Sequence, residues 1–491
     1  MDKNENLTET KKVKADAGLR LFMFLSKADT QLISMIIMLM LSAQVLFGVF
    51  EKTASQPDLF ALYYGKALVI RLLGYLGLAN WVIDFYCRVF IHREKAVKWT
   101  FLKRPWTGFF AALLFWSMFS ILAATDINLA VFGGAYRYEG FASYLAYAGI
   151  FACASLIRTD KYRKTVFGSV AVCSSLLAIF ALLKDLAQWT FLMNRSGSVN
   201  AFSGTFINSN HYGYYICVSI CVTAGLYMMV EKWWSKLLCG AGFALNTVVL
   251  LYNRSLGPYI AATAGLILLA VFILIRRGIK KTLPLLILVA VFAGLSFAVN
   301  GHKVLNDLGA FAKEAGEVVS NIGSGETDTQ EGQHAIDYIG NYRGALWKTT
   351  FDVMLKHPVI GVGADNVQLY IGNAIPHNEY LQVGANLGFV GLALYLASLV
   401  SCFAFSIKNL KKMSDGALVA GVATIVYCAS AFVGISIPVA TYQLFFFMGL
   451  LTGWFKDRDD AAMNTLAIEE LEKKQEKRAP SSAAQTGSAP E

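Results

Sequence analysis

The sequence has little charge for its length. Of its 491 residues only 15% are charged, whereas 56% are hydrophobic, and the mean hydropathy is +0.50. Soluble domains average about 25% charged residues. Apolar runs of roughly 18 residues or more recur along the chain, and such a run is long enough to cross a bilayer as a helix. This composition excludes an ordinary soluble globule and predicts an all-α, polytopic integral membrane protein.

The polar connections between the apolar runs contain no cysteine. All eight cysteines lie in or at the edge of apolar runs, and none is spaced from a histidine as zinc ligands are. Cys217 and Cys221 are four residues apart on one helix face, an arrangement more typical of packing than of metal binding. The sequence therefore argues against a disulfide framework and a metal site, and we expect no metal or other cofactor.

Positive charge is distributed unevenly among the connections. The formal net charge is +10, and Lys and Arg cluster in every second connection. Cytoplasmic connections carry this excess, so the charge indicates topology rather than nucleic-acid binding. About twelve spans are predicted, near residues 32–50, 62–90, 106–124, 141–157, 166–183, 212–230, 237–251, 258–275, 283–299, 381–407, 417–433 and 439–455.

The alternation places both termini in the cytoplasm and one long loop on the extracytoplasmic side of the membrane. The predicted organisation is a cytoplasmic tail at 1–29, spans one to nine within 30–299, a large extracytoplasmic loop at 300–380, spans ten to twelve within 381–455, and a largely disordered cytoplasmic tail at 456–491.

The long loop contains two amphipathic patterns. Apolar residues at helical spacing predict a surface helix over Val304–Ile322 and a second helix over Arg343–Lys356. His357 precedes a proline, where helices end. The run Gly361–Asn366 (GVGADN) lacks the Lys-Ser/Thr of a phosphate-binding loop, so it is interpreted as a backbone turn.

Isolated charged residues lie at the predicted outer ends of several spans. They are Arg137, Glu139, Arg254, Arg343 and His377. A single arginine at such a position commonly reaches water along its aliphatic stem. Several on the side where basic residues are depleted favour an anion site, and the guanidinium fork suits a phosphate or pyrophosphate.

His377 differs from the other histidines in its surroundings. It follows Pro376 and precedes Asn378 and Glu379, at the mouth of span ten. A neutral imidazole there could remove a proton from a hydroxyl at ordinary pH. His377 is therefore the candidate base, whereas His357 is interpreted as a helix stop.

A polar run precedes span six. Asn208, Asn210 and His211 follow the motif Gly-Thr-Phe. One interpretation is a helix N-cap, in which Asn or Ser supplies the capping oxygen. The other is a rim that binds sugar or phosphate, and the sequence leaves both open.

Five motifs occur in order along the chain: GGAYRYEGF, GTFINSNHYG, NRSLG, YRGALWKTTFDVMLKHPVIGVGADN and PHNEYLQ. Together they resemble the O-antigen ligase/polymerase family of bacterial polytopic enzymes, which take glycans from polyprenyl-diphosphate carriers on the outer side of the membrane. The resemblance implies that Arg137, Arg254 and Arg343 hold the carrier diphosphate and that His377 is the base, without ATP or metal. Asn253 departs from the family pattern, where a Ser-Arg pair is more common.

The expected function is thus glycan transfer in the bacterial cytoplasmic membrane, with the active face extracytoplasmic. The donor would be a polyprenyl-diphosphate-linked glycan, and the acceptor would be a hydroxyl of a glycan, lipid or protein. That hydroxyl would attack the anomeric carbon of the donor, with inversion at that carbon. Glu139, Asn208, Asn210, His211, Asn378 and Glu379 are expected around the substrate. The alternative is a transporter or flippase of lipid-linked glycan, since about twelve spans is also a common transporter count.

Overall fold

A computed structural model describes residues 29–47, 59–91, 104–187, 202–300 and 330–455, except Tyr136, Ile207 and Asn373, together with single positions at 306, 309 and 313. The surface helix predicted over 304–322 lies outside the described residues. Within them the regular elements are helices, so the all-α membrane architecture is confirmed.

Fourteen helices are used below and are numbered in chain order. They are α1 (Thr30–Ala43), α2 (Leu59–Tyr86), α3 (Pro105–Phe119), α4 (Ile127–Phe132), α5 (Phe141–Ala154), α6 (Asp160–Asp185), α7 (Ser209–Met229), α8 (Trp233–Asn253), α9 (Leu256–Arg277), α10 (Ile279–Asn300), α11 (Gln330–Lys356), α12 (Glu379–Asn409), α13 (Asp415–Ala431) and α14 (residues 438–455).

Each predicted span coincides with one of these helices. Among the described residues, eight helices are long and apolar enough to cross a membrane, and three shorter apolar helices accompany them. The polytopic arrangement is therefore confirmed, while the count of twelve spans stays a prediction. α7 lies in the interior of the bundle, where nearly all of its residues are buried.

Helices α2 and α5 approach each other through small residues. A Cβ atom added to Gly149 would lie 1.9 Å from the carbonyl oxygen of Gly74, and one added to Gly77 would lie 2.8 Å from Cys153 Cβ. Backbones can approach this closely only where a side chain is missing, a common device between membrane helices. The contact places α2 beside the loop that leads into α5.

Helix α12 is broken at Gly388, whose φ of 72° and ψ of 179° are not helical. Phe389 N donates to Pro358 O at 2.7 Å, and Gly363 N donates to Asn386 O at 2.9 Å. The segment after α11 thus bonds the backbone groups freed by the break. The part beyond it, residues 389–409, is about 30 Å long at 1.5 Å per residue, which matches the hydrocarbon thickness of a bilayer.

Helix α11 begins at Gln330, so the sequence-based start at Arg343 was wrong. The predicted end at Lys356 is confirmed, because His357 N makes the last helical bond to Val353 O at 3.0 Å. Hydrophobic periodicity detected only the part of α11 that packs against α12. Val353 and Met354 are buried there, as their spacing predicts.

Candidate active site

The first element of the site is the loop Gly133–Gly140, called here the arginine loop. Gly133 has a φ of 79°, and a Cβ there would lie 2.2 Å from the backbone nitrogen of Glu139. Arg137 N and Tyr138 N both donate to Gly134 O, at 3.1 and 2.9 Å. The glycines of the GGAYRYEG motif therefore let the loop close on itself, with Arg137 and Glu139 on either side of Tyr138.

Arg137 forms a buried ion pair. Its Nε donates to Asp365 Oδ1 at 3.0 Å, and their side chains are 10% and 2% exposed. Gly134 N donates to the other oxygen of Asp365 at 2.6 Å. Burial raises the pKa of Asp365, while Arg137 and the backbone donor act in the opposite direction. Asp365, which the sequence assigned only to a turn, is thus the partner of a predicted site residue.

Glu139 points into the bundle rather than toward an open rim. It is 1% exposed and accepts hydrogen bonds from Tyr147 Oη, at 2.6 Å, and from Ser436 Oγ. Burial raises the pKa of Glu139 to about 8, against the lowering effect of these two donors. At neutral pH the Glu139 carboxyl therefore holds a proton.

Glu379, the first residue of α12, is held in a similar way. It is 1% exposed, and the hydroxyls of Tyr395 and Tyr427 donate to its two oxygens at 2.7 Å each. Tyr427 Oη also lies 3.0 Å from Thr441 Oγ1, which is 3.3 Å from Ser436 Oγ. A chain of hydroxyls thus connects Glu379 with Glu139.

His377 lies just before α12, in a left-handed backbone conformation with a φ of 49°. Trp347 Nε1 donates to Pro376 O at 2.7 Å, and Asn378 caps α12 by accepting from Leu381 N at 3.1 Å. Burial, and secondly the nearby charge of Arg343, lower the pKa of His377 to about 4. The imidazole is therefore neutral at ordinary pH, the form that a general base requires.

Arg343 reaches the site from α11. Its Nη1 lies 3.5 Å from Val433 O, the outer limit of a hydrogen bond, and Tyr214 Oη donates to the same carbonyl at 2.9 Å. Its charge acts on His377, so the two side chains lie in the same region. His211 also lies near His377.

Arg254 occupies the corner between α8 and α9. It is exposed, caps α8 and has a left-handed φ of 59°. The amide of Asn253 donates to Phe202 O and Ser209 O, both at 2.9 Å, which ties this corner to the start of α7. Asn253 thus has a structural role where the family pattern more often has serine. Among the described contacts, none connects Arg254 with His377.

The polar run before α7 contains the N-cap of one sequence interpretation, while the substrate-binding rim of the other stays a prediction. Asn208 accepts from Asn210 N at 2.8 Å, so its N-cap role is confirmed. Asn210 Oδ1 accepts from Ser255 Oγ at 3.1 Å, beside Arg254. His211 is buried and shares a hydrogen bond of 2.8 Å with Tyr63 Oη.

The short connection Val433–Ser436, called here the hub segment, joins these parts. Val433 O accepts from Arg343 and Tyr214, while Ser436 bonds Glu139. Ser436 N also donates to Gln382 Oε1 at 2.9 Å, and its carbonyl accepts from the same amide at 3.2 Å. The sequence does not indicate a role for this segment, because serine side chains and backbone carbonyls carry no charge.

Backbone strain is concentrated in the same region. Five non-glycine residues of the described chain have a positive φ, and four of them are Tyr138, Arg254, Asp365 and His377. Such conformations are costly for residues with a side chain and persist where surrounding contacts enforce them, often at functional sites. Two of the four are predicted site residues, and the other two adjoin or contact Arg137.

Comparison with known proteins gives two matches. Residues 241–396, which include Arg254, Arg343 and His377, match a family model described as O-Antigen ligase. The chain is also 24% identical over 439 residues to the exopolysaccharide production protein ExoQ of Rhizobium meliloti (strain 1021), covering 84% of this chain and 89% of ExoQ. The resemblance carried by the motifs is confirmed, and both matches support a ligase- or polymerase-like role in surface polysaccharide synthesis.

Proposed function

From this support for the O-antigen ligase family, we propose that the protein transfers a glycan from a polyprenyl-diphosphate carrier to an acceptor hydroxyl, on the outer face of the bacterial cytoplasmic membrane. The observation that carries the proposal is the juxtaposition of a neutral histidine, His377, with the guanidinium of Arg343. The first can accept a proton, and the second can bind the anionic leaving group.

His377 is the general base of the proposed reaction. Its neutral ring takes the proton of the acceptor hydroxyl as the hydroxyl oxygen attacks the anomeric carbon of the donor. The contact from Trp347 to Pro376 O and the capping bond of Asn378 fix the backbone on both sides of His377. The base is therefore pre-positioned by α11 and α12.

The arginines stabilise the leaving group. As the new oxygen–carbon bond forms, the bond from the anomeric carbon to the diphosphate oxygen breaks, and negative charge develops on the carrier diphosphate. Arg343 and Arg254 are the cations offered to that charge, a form of electrostatic stabilisation that often dominates catalysis. Arg137 contributes through its ion pair with Asp365, which orients the guanidinium. Direct displacement inverts the anomeric carbon.

A reconstituted assay tests this function. Purified protein is given a polyprenyl-diphosphate-linked oligosaccharide, and new glycosidic product is measured with candidate acceptors. H377A should abolish product, and R343K should impair it strongly, because a lysine cannot replace the planar fork. H357A is the matched control, since His357 ends α11, and it should remain active. Full transfer by H377A would exclude the proposed base.

A transporter or flippase is the second candidate, and the break in α12 is the feature that raises it. Broken helices often form transport sites, where freed carbonyls coordinate the cargo or ions. Here Ala385 O and Asn386 O accept instead from Val362 N and Gly363 N, at 3.0 and 2.9 Å. The break is thus bonded by protein, which favours the enzyme. In proteoliposomes, movement of the donor across the bilayer without new glycosidic product would support the transporter.

A further inference from the structure

Arg71 of α2 contacts the arginine loop through uncharged groups. Its Nη2 donates to Phe132 O and Tyr138 O at 2.6 Å each, and its Nε donates to Ser143 Oγ at 3.0 Å. Ser143 Oγ in turn donates to Tyr138 O at 2.6 Å. The carbonyl of Tyr138 is therefore held by two donors, from α2 and from α5.

Tyr138 is the strained residue of this loop. Its φ is 55°, a left-handed conformation that is a genuine outlier for a bulky side chain. The reversal at Tyr138 is what separates its neighbours, because Arg137 bonds Asp365 while Glu139 turns into the bundle to bond Ser436. Relaxation of Tyr138 to an ordinary conformation would misdirect both side chains.

We infer that Arg71 is a positioning residue, which holds Tyr138 in its left-handed conformation and thereby aims Arg137 and Glu139. This inference rests on the proposed function, in which Arg137 helps to bind the donor. Only arginine supplies a planar fork that reaches two carbonyls and a hydroxyl together, and lysine offers a single point donor. Arg71 acts through the backbone of the loop and does not itself react.

The test is rescue by glycine. R71K should lower kcat/KM about tenfold or more, on the scale of the cost of one left-handed residue, chiefly through a higher KM for the donor. Y138G removes that cost, because glycine adopts positive φ readily. R71K/Y138G should therefore recover activity to within about threefold of Y138G, whereas R71K/Y138A should stay impaired.

The alanine variant is the control for the lost ring, since the Tyr138 ring lies 5.6 Å from that of Tyr64 and both substitutions remove this contact. R88K is the control for the arginine: Arg88 follows α2 at its other end and pairs with Asp84 at 3.2 Å, so R88K should leave activity unchanged. Equal rescue by Y138G and Y138A, or wild-type activity of R71K, would overturn the inference.

Hydrogen exchange separates this inference from the proposed function. The amides of Arg137 and Tyr138 are bonded to Gly134 O, so peptides covering 133–140 report on loop closure without any substrate. R71K should speed their exchange, and R71K/Y138G should restore protection. If H377A transfers glycan normally, the function fails whatever the exchange shows. If H377A is inactive and R71K leaves exchange unchanged, only the role of Arg71 fails.

Discussion

Arg137 and Asp365 are 228 residues apart in sequence, yet the guanidinium Nε donates to the carboxylate at 3.0 Å in a buried pair. The pair joins the arginine loop to the turn that follows α11. Two motifs that looked separate in the sequence are therefore parts of one structure, and the proposed donor site depends on both.

We predict that D365N lowers the free energy of unfolding by about 3 kcal/mol, the scale of leaving a buried charge without its partner. The amide cannot balance the guanidinium of Arg137, and its nitrogen meets the Gly134 N–H. Chemical unfolding in detergent measures the change. D352N, on an exposed part of α11, is the matched control and should be neutral. If D365N and D352N are equally stable, the Arg137–Asp365 pair does not stabilise the fold as predicted.

The pH dependence of transfer tests the environment of His377. Its pKa is lowered to about 4, so the neutral base persists as pH falls through the usual range of histidine. We expect kcat/KM to change little between pH 7.5 and pH 5.5 and to fall only as pH approaches 4. A titration near 6.5 in the wild type would contradict this prediction.

R343Q should change that profile. Burial is the larger cause of the lowered pKa of His377, and the charge of Arg343 is the second cause. Removing the charge should raise the pKa of His377, so the acidic limb of kcat/KM should move to higher pH, in addition to any loss of donor binding. K348Q, which removes an exposed charge from the same helix, should leave the limb in place.

The contribution of Glu139 to stability should fall as pH rises, whereas the activity that depends on His377 should fall as pH drops. Because burial raises its folded-state pKa from 4.5 to about 8, the stabilisation by Glu139 is fully present below pH 4.5 and is lost as pH rises from there through 8. E139Q resembles the protonated form at every pH, so it should unfold like the wild type at pH 4.5 and lose less stability than the wild type between that pH and pH 9. E139A should cost about 1–3 kcal/mol at pH 7, since Tyr147 and Ser436 lose their partner. Thermal unfolding at pH 4.5 and pH 9 measures the loss of stability. The prediction is wrong if E139Q and the wild type lose the same amount.

G388A should be strongly destabilising. A Cβ at Gly388 would lie 2.2 Å from Val359 O, and the φ of 72° disfavours any side chain. The segment that leads to His377 would have to shift, so we expect transfer to fall by about tenfold or more as stability drops. G240A is the control: an added Cβ there meets nothing within 4 Å, and alanine should be neutral or slightly stabilising. Equal behaviour of the two variants would refute this role for the break.

Much of the fold follows from the sequence because apolar runs and helix-ending residues act locally. The end of α11 at His357 and the cap at Asn208 are examples, and both depend on neighbours in the chain. The start of α11 at Gln330 was not predicted from the sequence. Its first turns contain Gly332 and Gly340, and glycine is a poor helix former, so the local sequence did not indicate a helix there.

The site was predicted less completely. Charge at the ends of spans identified Arg343 and His377, which the structure brings together. Arg71 and Asp365 were not predicted, because their partners come from distant segments and sequence spacing does not report such pairs. Two features could have drawn attention to them: an arginine within an apolar span, and an acidic residue in a glycine-rich turn beside the candidate site.

The position of the hub segment also has a consequence for biosynthesis. Val433 and Ser436 lie near the end of the described chain, so Glu139, Gln382 and Tyr214 are made and inserted well before their partners emerge from the ribosome. Until the hairpin of α13 and α14 has entered the membrane, these polar side chains lack their hydrogen bonds to the hub segment. Nascent chains that still lack this hairpin are therefore expected to lack the bonds of the hub segment and, with them, the proposed activity.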